Sequence, residues 1–293
     1  MLIEGIITAM VTPMDVNQKI DYEATKRHID FLIDKGVHGL FILGTNGEFH
    51  VLSYEEKIEF ARVVVNHVAK RVAVYVGAGE CGTYETIRLA QAFEAIGADA
   101  ISVITPYLVK INQAELEMHY TMVAKSVNIP IILYNIPANT GINIEASTLE
   151  SLMNIENIKG IKDSSGNLDT IKAYLSVIGD KDFSLLIGSD SKILEGLILG
   201  AKGAVASTSN AIPEHIVSLY NAYKSGNIEN ALMLQKDVDV IRGVLKLATI
   251  PSIVKRCVSL RGNNVGEARY PVMSINDKYD RQILEMLSFY KLI

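Results

Sequence analysis

Two residues of this chain could act together on a carbonyl group: the amine of Lys162 and the phenol of Tyr134. Lys162 ends a short apolar run, Ile158-Lys159-Gly160-Ile161, and Asp163, Ser164, Ser165 and Gly166 follow at once. A buried strand with that ending points its last amine into a loop-lined cavity, where burial disfavours the charged form. A neutral amine attacks a carbonyl carbon to form a Schiff base, provided that a second group carries protons to and from the carbinolamine. A tyrosine from the preceding strand would sit beside the lysine and could do this. Each residue also has a plainer reading. Lysines commonly cap strands and point to solvent, and a tyrosine commonly packs its ring and keeps its hydroxyl wet. Residue type alone leaves both readings open.

The surrounding sequence alternates two textures from residue 5 to 210. Short, β-branched, nearly continuous apolar runs at Gly5–Val11, Gly39–Leu43, Val72–Val76, Ala100–Ile104, Ile131–Leu133, Ile158–Lys162, Phe183–Ile187 and Gly203–Ala206 read as strands. Between them lie amphipathic segments: Tyr22–Lys35, Ser53 to Ala69, Thr83 to Ile96, Glu115–Ser126, Ser147–Met153, Leu168–Val177 and Ile193–Leu199. A further helix starts near Pro213. Ser53 with Glu56 has the spacing of a capping box, and Thr83 is placed to cap the third helix. Continuous rather than alternating apolar strands are strands covered on both faces. Eight such units fit a closed (β/α)8 barrel, an α/β fold, spanning residues 1–225. Residues 226–293 lose the strand texture, and Ile228–Leu247, Ser252–Leu260 and Asp277–Tyr290 read as a helical extension packed on the barrel.

Composition narrows the function classes. The 293 residues carry a net charge of −5 and no Lys/Arg run, which argues against a nucleic-acid partner. No apolar run approaches the ~20 residues that span a bilayer, and the opening Met-Leu-Ile-Glu-Gly has neither the basic flank nor the apolar stretch expected of a signal peptide. Cys81 and Cys257 lie far apart, as reduced thiols of a cytoplasmic protein do. The six histidines have no metal-type spacing, so neither metal nor cofactor is expected. Gly77-Ala78-Gly79-Glu80-Cys81-Gly82 does satisfy the dinucleotide glycine pattern. However, it belongs to the third unit, and Asp99, the acidic residue downstream, precedes the next strand instead of ending it.

In a barrel, chemistry belongs at the carboxyl ends of the strands. Those ends carry Thr45, Asn46, Gly47, Glu48, Tyr107, Tyr134, Lys162, Ser189, Asp190 and Ser207. Three strings among them, Gly44-Thr45-Asn46-Gly47-Glu48, Tyr134-Asn135-Ile136-Pro137 and Gly160-Ile161-Lys162-Asp163, resemble the pyruvate-dependent class I aldolases. That family includes dihydrodipicolinate synthase and N-acetylneuraminate lyase. The resemblance extends over essentially the whole chain. It implies that Lys162 forms the Schiff base, that Tyr134 is the general acid and base, and that Thr45 links Tyr134 into a proton relay. It also implies that the backbone amides of Thr45 and Asn46, with Gly47 beside them, hold the pyruvate carboxylate. Val205, Asn139 and Tyr107 are the other substrate-binding positions it implies. The partners implied are a small 2-oxo acid and an aldehyde, and the implied assembly is a homotetramer.

Two positions depart from the synthase branch of that family. Leu108 stands where a second tyrosine would complete a relay across a dimer interface. Asn139 stands where an arginine would bind the carboxylate of aspartate semialdehyde, and a neutral amide cannot give a bidentate charged pair. The strings at 44–49 and 137–141 look more like members that cleave 4-hydroxy-2-oxoglutarate or 2-keto-3-deoxy sugar acids. The expected activity is therefore a lyase releasing pyruvate, with the synthase as alternative and a non-catalytic 2-oxo acid sensor as a further one.

Overall fold

A computed structural model describes residues 3–293. Strand β1 (Gly5–Ala9) leads through helix α1 (Tyr22–Asp34) to β2 (Gly39–Ile42), and α2 (Tyr54–Val68) leads to β3 (Ala73–Gly77). Helix α3 (Thr83–Ile96), β4 (Ala100–Ile104), α4 (Gln113–Lys125) and β5 (Ile131–Asn135) follow. Two short helices, α5 (Pro137–Thr140) and α6 (Ala146–Leu152), precede β6 (Ile158–Asp163). Then come α7 (Leu168–Ile178), β7 (Ser184–Ile187), α8 (Ile193–Leu199), β8 (Gly203–Ala206) and α9 (Pro213–Lys224). The eight strands are parallel and close into a barrel through β1 and β8, where Gly5 pairs with Gly203 and Ile7 with Val205. Glycine is required at that seam, because a Cβ on Gly203 would stand 2.1 Å from the Gly5 carbonyl oxygen.

The strands are apolar on both faces because both faces are covered. Ile6, Leu40, Ile101, Leu133 and Ile161 are fully buried, and each such side chain contributes roughly 1.5–3 kcal/mol. The surrounding helices bury one stripe each and expose the other; α1, for example, buries Ala24, Thr25, His28, Ile29 and Leu32. Ser53 and Glu56 form the expected capping box of α2.

Local chemistry moves several boundaries. Gly82, not Thr83, is the N-cap of α3, and the Thr83 hydroxyl is turned instead to His119 Nδ1 at 2.9 Å. Helix α4 starts before Glu115, because Asn112 caps it and Glu115 reaches back to the Asn112 amide. The third strand is offset to Ala73–Gly77, with the Val74 amide donating to the Asp99 carboxylate. That bond occupies the acidic residue on which a dinucleotide reading would depend.

Past α9 come α10 (Ile228–Leu245), α11 (Ser252–Leu260) and α12 (Asp280–Phe289). Helix α10 packs on α8 and α9, and α12 packs on α10 and α11. Arg261, which caps the C-terminus of α11, pairs with Glu214 of α9, with Nη1 2.8 Å from Oε2, and Arg256 of α11 pairs with Asp280 of α12. A fully buried pair, Lys255 Nζ and Glu48 Oε1 at 2.5 Å, ties α11 to the turn after β2. Among the described residues no helix is long and apolar enough to cross a membrane.

Candidate active site

Lys162 and Tyr134 are register partners on neighbouring parallel strands, so both side chains enter the barrel at one level. Lys162 is 5% exposed and Tyr134 4%. The amine lies 3.9 Å from the centre of the Tyr134 ring and 4.6 Å from that of Phe41, within the range of a cation–π contact. Phe41 meets the Tyr134 ring edge-on. Among the described residues Lys162 Nζ has neither a carboxylate within 4.0 Å nor a hydrogen-bond acceptor. Its neighbours are π faces, which hold the amine without masking its lone pair once it is neutral. Gly188 makes room for it, since a Cβ there would lie 3.0 Å from Lys162 Cε and 2.0 Å from Ser164 Oγ.

The amine opens into a cavity of about 460 Å³ at the carboxyl ends of the strands, the size of a small-metabolite site. Thr45, Asn46, Tyr134, Asn139, Lys162 and Val205 line it, so six of the expected positions come together. The turn after β2 is stiffly held. Asn46 Nδ2 donates to the Ala9 carbonyl at 3.2 Å and to Ser207 Oγ at 2.8 Å, and the Thr12 hydroxyl donates to the Gly47 carbonyl at 2.7 Å. Among the described residues the amides of Thr45 and Asn46 donate to nothing, which leaves two fixed donors beside the cavity. Thr45 Oγ1 is 3.4 Å from the Tyr134 hydroxyl, at the long end of a hydrogen bond; such contacts tighten when substrate binds.

Two expected positions lie elsewhere. Tyr107 is not on this cavity: its hydroxyl donates to Glu80 at 3.3 Å, and its ring lies edge-on to Phe49. Glu80 also receives Lys57, so a charged cluster outside the lysine chamber captures the phenol. Burial and Glu80 both raise its pKa, which holds it protonated. Gly47 turns its carbonyl to Thr12 and packs against Leu43, which keeps it off the cavity wall. Beside Tyr107, Leu108 has φ +83° and is 90% exposed.

Of Asp163, Ser164, Ser165 and Gly166, only Ser164 lines the cavity. Strand alternation sends Asp163 the other way, where it accepts from Asn135 Nδ2 at 2.8 Å and Ser165 Oγ at 2.6 Å. Burial nonetheless raises its pKa. Asp190 is buried at the mouth and accepts from the amides of Thr208 at 2.8 Å and Ser207 at 3.3 Å. Burial raises the pKa of this carboxyl too.

The sequence reading missed Phe41 and the rim residues Arg242, Leu245, Lys246 and Ile250. Phe41 looks like any core residue of a strand. The rim residues belong to the extension, and nothing in their spacing shows that α10 crosses the barrel mouth.

Comparison with other proteins places the chain in a family. A sequence model of the dihydrodipicolinate synthetase family matches residues 2–289. The chain is 38% identical over 292 residues to a 4-hydroxy-tetrahydrodipicolinate synthase of Archaeoglobus fulgidus, with each chain covered in full. It superposes on the crystal structure of dihydrodipicolinate synthase from Aquifex aeolicus with a TM-score of 0.95, at 33% identity and 99% coverage of both chains. A prophage protein of E. coli K12, of the dihydrodipicolinic acid synthase family and solved with pyruvate, also gives 0.95, at 32% identity and full coverage of both. The chain thus belongs to the dihydrodipicolinate synthetase family, a family of class I, pyruvate-dependent aldolases and lyases built on a TIM barrel.

Proposed function

We propose that this chain is a 4-hydroxy-tetrahydrodipicolinate synthase, condensing pyruvate with aspartate semialdehyde through a Schiff base on Lys162. The observation that carries the Schiff-base chemistry is the buried, unpartnered Lys162 amine facing the Tyr134 ring, with Thr45 next to the phenol. The choice of aldehyde rests on the relatives, since proteins 38%, 32% and 36% identical carry the synthase name. Their names put this reaction ahead of the cleavage expected from the strings at 44–49 and 137–141.

The steps follow from the residues at hand. The pyruvate carboxylate accepts from the free amides of Thr45 and Asn46, fixed donors that need no reorganisation. Lys162 Nζ adds to C2. The resulting hydroxyl leaves as water with a proton supplied by the Tyr134 hydroxyl, which Thr45 Oγ1 restores. The iminium then takes up the C3–H electron pair as that proton passes to the Tyr134–Thr45 relay, which refills the proton spent on the departing water and gives an enamine. Enamine C3 bonds to the aldehyde carbon while Tyr134 protonates the aldehyde oxygen. Attack at C2 by water, or by the product's own amine, frees Lys162. The lysine is itself the electron sink, so the reaction calls for no added cofactor.

One observation favours a second reading within the same class. Asn139 at the mouth is uncharged, which suits cleavage of 4-hydroxy-2-oxoglutarate or a 2-keto-3-deoxy acid. The assembly that accompanies either reading is a cytoplasmic homotetramer, a dimer of dimers. The exposed Leu108 and Val109 are apolar residues that such an assembly would cover.

The test is a pair of assays on the purified protein: condensation of pyruvate with aspartate semialdehyde, and pyruvate release from a panel of 4-hydroxy-2-oxo and 2-keto-3-deoxy acids. Efficient condensation is expected. Cleavage of one panel member without condensation would replace the synthase by the aldolase. No turnover in either direction would leave a 2-oxo acid sensor.

A further inference from the structure

The cavity has a second charged wall that the Schiff-base chemistry does not use. Helix α10 crosses the strand ends and is docked there by Gln235. Its Nε2 donates to the Asp190 carbonyl at 3.1 Å, and its Oε1 accepts from the Leu194 amide at 2.8 Å. Residues seven apart on a helix share a face, so the docking that seats Gln235 also turns Arg242 toward the barrel. Arg242 and Lys246 both line the cavity that holds Lys162, with Leu245 between them. Arg242 is half-buried and Lys246 exposed.

Neither cation has a carboxylate within 4.0 Å among the described residues, and neither makes a hydrogen bond there. Most half-buried arginines of this chain are used otherwise. Arg256, Arg261 and Arg269 each hold a carboxylate with two nitrogens. Asp190, the carboxylate that lines the same cavity, has its oxygens on the Ser207 and Thr208 amides, and the charge of Arg242 acts against the burial that raises its pKa. Basic residues near a helix C-terminus also complement its dipole, but that effect is indifferent to which side of the helix they occupy. Here both lie on the cavity side. Asn139, Ser164 and Ser189 add neutral polar groups to the lining, and Asp190 adds a carboxylate.

We propose that Arg242 and Lys246 form an anion subsite that binds the distal carboxylate or phosphate of the aldehyde partner while pyruvate is held on Lys162. The inference rests on the Schiff-base reading above and narrows it, since it assigns the enzyme an aldehyde whose far end is negative. The guanidinium supplies a planar pair of donors for such a group and the ammonium a movable point charge. Because α10 belongs to the extension, the extension takes part in substrate choice.

The test compares the wild type with Arg242→Gln and with Arg242→Gln/Lys246→Gln, using pyruvate and three aldehydes: aspartate semialdehyde, glyceraldehyde 3-phosphate and uncharged glyceraldehyde. The ratio of kcat/KM for the better anionic aldehyde to that for glyceraldehyde is expected to fall about tenfold in the single variant and further in the double. The loss should appear in KM, and Arg242→Lys should recover part of it. Which anion the wild type prefers distinguishes carboxylate from phosphate. An equal loss for all three aldehydes, or no loss, overturns the subsite.

A titration independent of turnover accompanies this. The borohydride-reduced pyruvate adduct of the wild type, or the untreated protein if no adduct forms, is titrated with succinate and with inorganic phosphate. Binding of either, weakened about tenfold in the double variant, supports the subsite. Binding of neither, or equal binding by the variant, contradicts it. Failure of the adduct to form would remove the Schiff-base reading while this titration still decides the subsite.

Discussion

The two walls of the cavity come from different parts of the chain and are held in different ways. The pyruvate wall is made by the ends of β5 and β6, whose register sets Tyr134 and Lys162 level, and by the turn after β2 that carries Thr45. The rim across from Lys162 is made by α10, which is docked through side chains such as Gln235. Strand register tolerates little adjustment, because a slip of one residue sends every side chain to the other face. A helix laid across the barrel mouth can change its rim residues without disturbing the strands. The common chemistry therefore sits on the rigid wall, and the discrimination between aldehydes on the adjustable one.

Substitutions on the two walls should differ in kind as well as size. Lys162→Ala removes the amine proposed to form the Schiff base, and turnover should fall at least about a thousandfold with the fold unchanged by circular dichroism. Tyr134→Phe keeps the ring against Lys162 but removes the proposed proton carrier. A drop in kcat of about 10²–10⁴ is expected, with KM for pyruvate much less affected. If Tyr134→Phe raised only KM, Tyr134 would be a binding residue. The α10 substitutions are expected to act on KM for the aldehyde and by about tenfold, so the contrast between the walls is itself a measurable quantity.

A buried pair ties α11 of the extension to the turn after β2. Lys255→Met would strand the Glu48 carboxylate, which is 1% exposed and whose other oxygen accepts from the Arg269 amide. Losing one partner of such a pair costs about 3–5 kcal/mol, to be read as a lowered midpoint of chemical denaturation. Glu48→Gln together with Lys255→Met should recover part of this, because the remaining neutral amide is cheaper to bury. A single variant as stable as the wild type would mean that the pair does not hold the turn.

A smaller effect is expected from pH. His28 is fully buried, with Nε2 donating to Asn210 Oδ1 and Nδ1 accepting from Asn263 Nδ2. Burial lowers its pKa to about 4, against the Asn210 contact, which raises it. The unfolded chain, with a pKa near the ordinary ~6.5, therefore takes up the proton first as the solution is acidified. The stability that neutral His28 contributes is complete above that value and is lost as pH falls from it toward about 4. His119, whose pKa burial also lowers to about 4, acts in the same direction. Denaturation midpoints between pH 8 and 5 should decline, and His28→Gln should flatten the curve.

The contrast between the walls is also a contrast in what the sequence reveals. Lys162 and Tyr134 are legible because a reactive residue at the end of an apolar run is unusual, and because eight such runs impose one fold. The capping box at Ser53 and Glu56 is legible for the same kind of reason, being a local pattern with a local cause. Thr83 misleads as a cap because a tertiary partner, His119, takes its hydroxyl. Tyr107 misleads as a site residue because Glu80, distant in sequence, decides where its hydroxyl points. Arg242 and Lys246 are silent in the sequence, since only the docking of α10 brings them to the mouth.

The most direct test of the central claim is borohydride reduction in the presence of pyruvate, followed by peptide mass analysis. One reduced pyruvate adduct per chain, on the peptide containing Lys162 and lost in Lys162→Ala, is the expected result. An adduct on any other lysine, or none while the protein still turns pyruvate over, would contradict it.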